Sequence, residues 1–219
     1  MPAPKKSDTD VRFAVTSEVE IREAENGGDR YAEGMGVVYD RETEIWPGFK
    51  ETIARGAFEG TLRSSDTIKS FFNHNPSYVL STTRSKPRLQ LIEETNGLRY
   101  RSPIPDTSYG NDLAENLRRK NVNGSSFAFR VLDDGQEITY DDDGTVHRRV
   151  TKAELYEIGP VTNPAYTAST SNLRSPENLY QELRELKAAR DAEEAKRAAN
   201  DDKKRENELN LLKRKIDTI

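Results

Sequence analysis

The sequence predicts a β-rich α+β body followed by a charged helical tail. Short runs of β-branched and aromatic residues, separated by turn signals, fill most of the chain up to Pro176. From Glu177 to Ile219 there is neither Gly nor Pro, and those 43 residues hold 11 acids and 11 bases. Such a stretch reads as a solvated helix rather than a core element. Over all 219 residues, 33% are hydrophobic and 33% charged. An average soluble protein has about 45–50% and about 25%, so part of this chain is expected to lie outside any core.

The strand signals run in order. Val11–Val15 and Val19–Ile21 are short β candidates, followed by a turn at Asn26-Gly27-Gly28. Tyr31–Tyr39 contains Gly34 and Gly36, which point to a bulge or a close backbone approach. Ile68–Phe72 ends at His74-Asn75-Pro76. Arg88–Glu93 and Leu98–Ile104 flank the hairpin signal Thr95-Asn96-Gly97, and Gln136–Tyr140 and Thr145–Val150 flank Asp141-Asp142-Asp143-Gly144. Gly124–Leu132 and Lys152–Val161 complete the set, the last one expected to end at Pro160 and Pro164. Helical patterns are few. Ile53–Ser64 begins a short helix around Ala57-Phe58, and Asp112–Lys120 pairs Leu113 with Leu117 behind an Asp in the first turn. Many short strands with few helices indicate a β-barrel or a β-rich α+β body.

Four segments are expected: a flexible leader over 1–10, a folded domain over 11–168, a small polar linker over 169–176, and the charged tail over 177–219. The tail carries two short apolar patches, Leu179, Leu183, Leu186 and Leu209, Leu212, Ile216, Ile219. They are too short for a sustained coiled coil but suit contact with a partner through one helix face.

Composition excludes several classes of function. No apolar run is long enough for a membrane span, and the N-terminus has no apolar segment of a secretory signal. The absence of cysteine excludes disulfides, thiolate metal sites and a cysteine nucleophile. A net charge of −4 gives no broad attraction to nucleic acid. Any imidazole chemistry must use His74 or His147, the two histidines present.

Three residues could carry chemistry. His74 sits where a strand meets a loop, the kind of position from which a rigid scaffold aims a functional group. Ser126 lies in Gly124-Ser125-Ser126-Phe127-Ala128-Phe129, where alternation puts Phe127, Phe129 and Val131 on one face and Ser126, Ala128 and Arg130 on the other. A serine is a weak nucleophile until a base such as imidazole takes its proton. Glu157 interrupts a strand otherwise made of Leu, Tyr, Ile and Val. A carboxylate there is costly if buried unpaired, and could orient an imidazole. Taken singly, each has an ordinary explanation: a structural histidine, a small strand residue, a solvated edge glutamate. His147 has charged neighbours, Arg148 and Arg149, and reads as a solvated strand residue.

The order of motifs says more than any one of them. Gly34-Met35-Gly36-Val37-Val38-Tyr39 is followed by Phe49-Lys50-Glu51-Thr52-Ile53-Ala54-Arg55-Gly56-Ala57-Phe58, then Ile68-Lys69-Ser70-Phe71-Phe72-Asn73-His74-Asn75-Pro76. Then come Asn96-Gly97-Leu98, Gly124-Ser125-Ser126-Phe127-Ala128-Phe129, and Leu155-Tyr156-Glu157-Ile158-Gly159-Pro160-Val161 running on to Ala165. Over residues 31–168 this series resembles the prohead proteases of tailed phages. Those are serine peptidases that trim capsid and scaffold proteins inside the immature shell, with a fold like the herpesvirus assemblin β-barrel. The chain departs from the family pattern in Phe127-Ala128-Phe129, where Ile-Gly-Phe is usual, and in Gly159-Pro160, which replaces a small serine.

The resemblance implies an assemblin-like β-barrel with a few short helices and a serine endopeptidase acting on capsid and scaffold proteins. The family's histidine falls on His74, its serine on Ser126 and its acidic strand residue on Glu157. Because assemblin-like enzymes use a second histidine as third member, His147 stands as the alternative to Glu157. The implied partners are the major capsid protein with its scaffold region and the protease itself, through autoprocessing; homo-oligomerisation stays open. The implied location is the host cytoplasm, inside the assembling prohead, with no cofactor, metal, membrane or nucleic acid. The competing reading is a catalytically inactive capsid assembly scaffold protein. A nucleic-acid-binding β-barrel is disfavoured by the net charge.

Overall fold

A computed structural model describes residues 9–14, 19–23, 28–162, 173–174 and 176–216. The expected leader (over 1–8), the turn at Asn26-Gly27, and the linker at 169–172 and 175 lie outside those residues. The chain divides into two units, Met1–Glu177 and Asn178–Ile219.

The chain order begins β1 (Thr9–Ala14), β2 (Glu20–Glu23), β3 (Arg30–Val38), β4 (Thr43–Trp46), β5 (Phe49–Ile53), α1 (Glu59–Arg63), β6 (Lys69–Phe71) and β7 (Val79–Thr82). It continues with β8 (Gln90–Glu94), β9 (Gly97–Ile104), α2 (Ser108–Arg118), β10 (Gly124–Val131), β11 (Gln136–Tyr140), β12 (Val146–Val150), β13 (Ala153–Val161) and β14 (Leu173–Arg174). The last element is helix α3 (Pro176–Ile216), whose residues 178–216 are the described part of the second unit.

The strands form three sheets: β14-β1-β10-β13-β6-β7, β11-β12-β5-β4 and β2-β3-β9-β8. Among the described residues they do not close into a barrel, which corrects that expectation. Two carbonyls of the edge strand β7 are satisfied without a neighbouring strand: Val79 accepts from the Tyr109 hydroxyl at 2.8 Å and Thr82 from the Leu89 N–H at 2.8 Å. Apolar surface is buried by stacking the β3 sheet on the six-stranded sheet instead. Gly36 is the point of close approach, since a Cβ there would overlap the Ile158 side chain of β13. Gly36 is also the bulge in the β3–β9 ladder, where the register shifts between Met35 and Val37.

The core between these layers contains Val37, Leu98, Tyr100, Phe129, Leu155 and Ile158, all fully buried. Phe58, just before α1, meets Phe127 and Phe129 edge-on at 6.1 and 6.0 Å, while those two stack at 5.4 Å. Helix α1 is shorter than the Phe58–Leu62 spacing predicts. Ile53 belongs to β5, and Gly56 at φ +81° turns the chain before any helix forms. Helix α2 starts four residues earlier than expected because Thr107, not an acid, caps it: its Oγ1 accepts from Gly110 N at 3.2 Å. Leu113 and Leu117 are buried as their spacing requires. Pro160 does not end β13. It stays in the strand, with its carbonyl accepting from Asn73 N–H at 3.1 Å.

Candidate active site

Ser126 is on β10, a central strand, with Phe13 of β1 on one side in register and Gly159 of β13 on the other. Alternation decides which serine faces the core. Ser125 turns toward the β3 sheet, its Oγ 3.2 Å from the Tyr100 hydroxyl, so Ser126 points to the opposite face.

Glu157 reaches that same face through a bulge. Ala128 pairs with Glu157 but Phe129 pairs with Leu155, which leaves Tyr156 as the extra residue. The bulge lets Leu155 enter the core and Tyr156 remain exposed, while Glu157 stays beside small Ala128, diagonal to Ser126. Without the bulge, Leu155 and Glu157 would share a face.

His74 comes from the tight connection between β6 and β7. Asn73 and His74 adopt φ of +54° and +56°, a left-handed conformation sparsely populated by residues other than glycine. The turn is closed by Asn75 N–H on Phe72 O at 3.1 Å, Tyr78 N–H on Asn75 O at 2.8 Å, and Ser77 N–H on Asn75 Oδ1 at 2.9 Å. β6 approaches β13 closely because residue 159 is glycine; a Cβ there would overlap the Phe71 carbonyl.

These elements bring His74, Ser126 and Glu157 together. His74 Nε2 lies 2.5 Å from Ser126 Oγ, and Nδ1 lies 2.9 Å from Glu157 Oε1. A carboxylate can only accept, so Nδ1 carries the proton and the Nε2 lone pair takes the hydrogen bond donated by Ser126. The His74 and Glu157 side chains are 7% and 12% exposed, and burial strengthens their hydrogen bond relative to water. Ser126 is buried.

His147 is elsewhere. It lies on β12 in the sheet β11-β12-β5-β4, with Nδ1 2.7 Å from Glu42 Oε2 and Nε2 2.8 Å from Asp141 Oδ2. Hydrogen bonds to Glu42 first and Asp141 second raise its pKa above the ordinary 6.5. Arg130, which shares the Ser126 face, is bound to Glu154 at 2.6 Å.

Sequence reasoning passed over two residues beside the site, Asn73 and Thr162. The available signal was an asparagine directly before the histidine at a strand end, since asparagine tolerates the left-handed region better than most residues.

Comparison with known proteins bears on the family and the fold. The caudovirus prohead serine protease family matches residues 17–182. A search of curated proteins finds no significant match. Among solved structures, the fold is similar to the bacteriophage T4 capsid assembly protease, gp21, with a TM-score of 0.50 and 14% identity over 72% of this chain and 99% of that one. The family match takes in β3, the His74 turn, β10 and β13, and spans three quarters of the sequence; the chain therefore belongs to the caudovirus prohead serine protease family.

Proposed function

We propose that this prohead protease cleaves peptide bonds with Ser126 as nucleophile, His74 as general base and Glu157 as the acid that orients it. The hydrogen-bonded line from Ser126 Oγ through the imidazole to Glu157 Oε1 carries the reading. As Oγ attacks the scissile carbonyl, Nε2 takes the hydroxyl proton, then delivers it to the departing amine. Water, deprotonated by the same nitrogen, hydrolyses the acyl-enzyme. Glu157 holds the proton on Nδ1 throughout and offsets the imidazolium charge in each transition state.

The substrates in this reading are the major capsid protein, its scaffold region and the protease itself, all cleaved inside the assembling prohead. The tail over 177–219 recruits the enzyme to the scaffold region. Its composition supports this: helix-forming residues, balanced charge and two short Leu/Ile patches. No described helix is long and apolar enough to cross a membrane.

The test is co-expression with the major capsid protein, followed by intact mass measurement. Wild type should shorten the capsid protein, whereas Ser126→Ala and His74→Ala should leave it whole, with rates down by on the order of 10⁶. Ser125→Ala should cut nearly normally, because that hydroxyl faces Tyr100. An active Ser126→Ala enzyme would overturn the assignment.

A further inference from the structure

We infer that Asn73 is a positioning residue for catalysis: it clasps the His74 turn to the end of β13, so that base and acid are both held by one strand. The inference rests on the His74–Ser126–Glu157 reading and adds a residue outside that hydrogen-bonded line.

The β6–β13 ladder is short. Its only registered pair among the described residues is Glu157 with Lys69, so the ladder ends before the chain reaches His74. Asn73 takes over where it stops. Its N–H donates to Pro160 O at 3.1 Å, and its Oδ1 accepts from Thr162 N–H at 2.9 Å and from Thr162 Oγ1 at 3.1 Å. One contact goes to the C-terminal end of β13, the strand that carries Glu157, and two go to Thr162, the residue that follows that strand. They hold a backbone that would otherwise relax, because Asn73 and His74 are both left-handed. If His74 returned to an extended conformation, its Cβ would swing and the imidazole would leave the line between Ser126 and Glu157.

Asn73 is exposed. Water can replace its side-chain contacts when they are lost, so a substitution disturbs aim more than stability. Displacing a catalytic group by about 1 Å can cost about 10² in rate. That cost falls on kcat, because the imidazole acts on the serine proton and not on substrate binding.

Three variants separate the side-chain acceptor from the backbone preference. Asn73→Ala loses both the acceptor and the tolerance of positive φ. Asn73→Gly loses only the acceptor. Asn73→Asp keeps an acceptor and tolerates the left-handed region. The substrate is a fluorogenic peptide spanning the cut site mapped in the capsid protein. Asn73→Ala and Asn73→Gly should lower kcat by about 10², with KM little changed and thermal stability close to wild type. Asn73→Asp should recover most of kcat and move the acidic limb of the kcat/KM profile to higher pH, because an added carboxylate beside His74 favours the imidazolium. The inference is overturned if Asn73→Ala keeps wild-type kcat, if Asn73→Asp is as slow as Asn73→Ala, or if lost activity only tracks lost folded protein. A wild-type rate in Asn73→Ala beside an inactive Ser126→Ala sinks this inference alone. An active Ser126→Ala sinks the reading beneath it.

Discussion

Glu157 is a carboxylate with 9% of its surface exposed, held by one described partner, His74 Nδ1 at 2.9 Å. Breaking a buried pair leaves a charge without compensation, whereas replacing the acid with its amide removes the charge and keeps the shape. Glu157→Gln should therefore stay folded. A glutamine oxygen could still accept from Nδ1–H, but it neither selects that tautomer nor balances the imidazolium. We expect kcat to fall by about 10²–10⁴ with KM nearly unchanged, measured on a peptide substrate. Near-normal kcat would remove Glu157 from the mechanism. At this scale the sequence was informative where a residue broke its local pattern. Glu157 stood out in an apolar strand, and alternation put Ser126 opposite Phe127 and Phe129. Asn73 broke no pattern, since its role depends on a positive φ and on Thr162, 89 residues away and just past the end of β13.

At the scale of elements, strands were legible wherever a hairpin closed on itself. Glu94 pairs directly with Gly97 around a turn at Thr95-Asn96, and Gln136–Tyr140 pairs with Val146–Val150. Sheet membership was not legible: alternation reports which side of a strand is buried, not which strand lies beside it, and stacked sheets and a barrel share that pattern. β12 shows the gap. Its hairpin partner was readable, but its parallel neighbour β5 lies about 100 residues away. The hairpin is also tied to the loop before β4 by His147, which bridges Glu42 and Asp141, with Lys50 3.6 Å from Glu42. The two pKa shifts have opposite signs. His147 is raised above 6.5, so its contribution is complete below 6.5 and lost as pH rises through the raised value. Glu42 is lowered below 4.5, chiefly by its hydrogen bond to His147, so its contribution is complete above 4.5 and lost as pH falls through the lowered value. The clamp is thus fully formed between 4.5 and 6.5. Melting curves of wild type and His147→Gln should differ most in that window, by no more than about 4 °C for partly exposed ion pairs. They should converge once His147 has lost its proton. A pH-independent difference would show that packing, not charge, gives His147 its effect.

For the whole molecule, the question is what the charged tail contributes. The family match ends at residue 182, early in α3. Beyond it, residues 188–201 are exposed without interruption. A helix exposed on every side gains nothing from a core and depends on its own propensity and side-chain pairs. Among the described residues, the pairs one turn apart include Lys187 with Asp191 at 2.6 Å, Arg190 with Glu194 at 3.7 Å and Glu193 with Arg197 at 2.5 Å. Each such pair contributes about 0.2–0.5 kcal/mol, enough to favour a helix but too little to support the sheets. Removing this stretch should therefore leave the catalytic unit intact. A chain ending at Ala188 keeps all residues of the family match. It should melt within about 2 °C of the full-length protein and cleave a supplied peptide with unchanged kcat/KM. Recruitment is a different matter, because the second apolar patch, Leu209 to Ile219, is gone. If that patch binds the scaffold region, the shortened protease should be depleted from purified proheads and leave the capsid protein uncut there while remaining active on free peptide. Normal loading into proheads would deny the tail a recruiting role, and loss of peptide cleavage in solution would make it part of the catalytic unit.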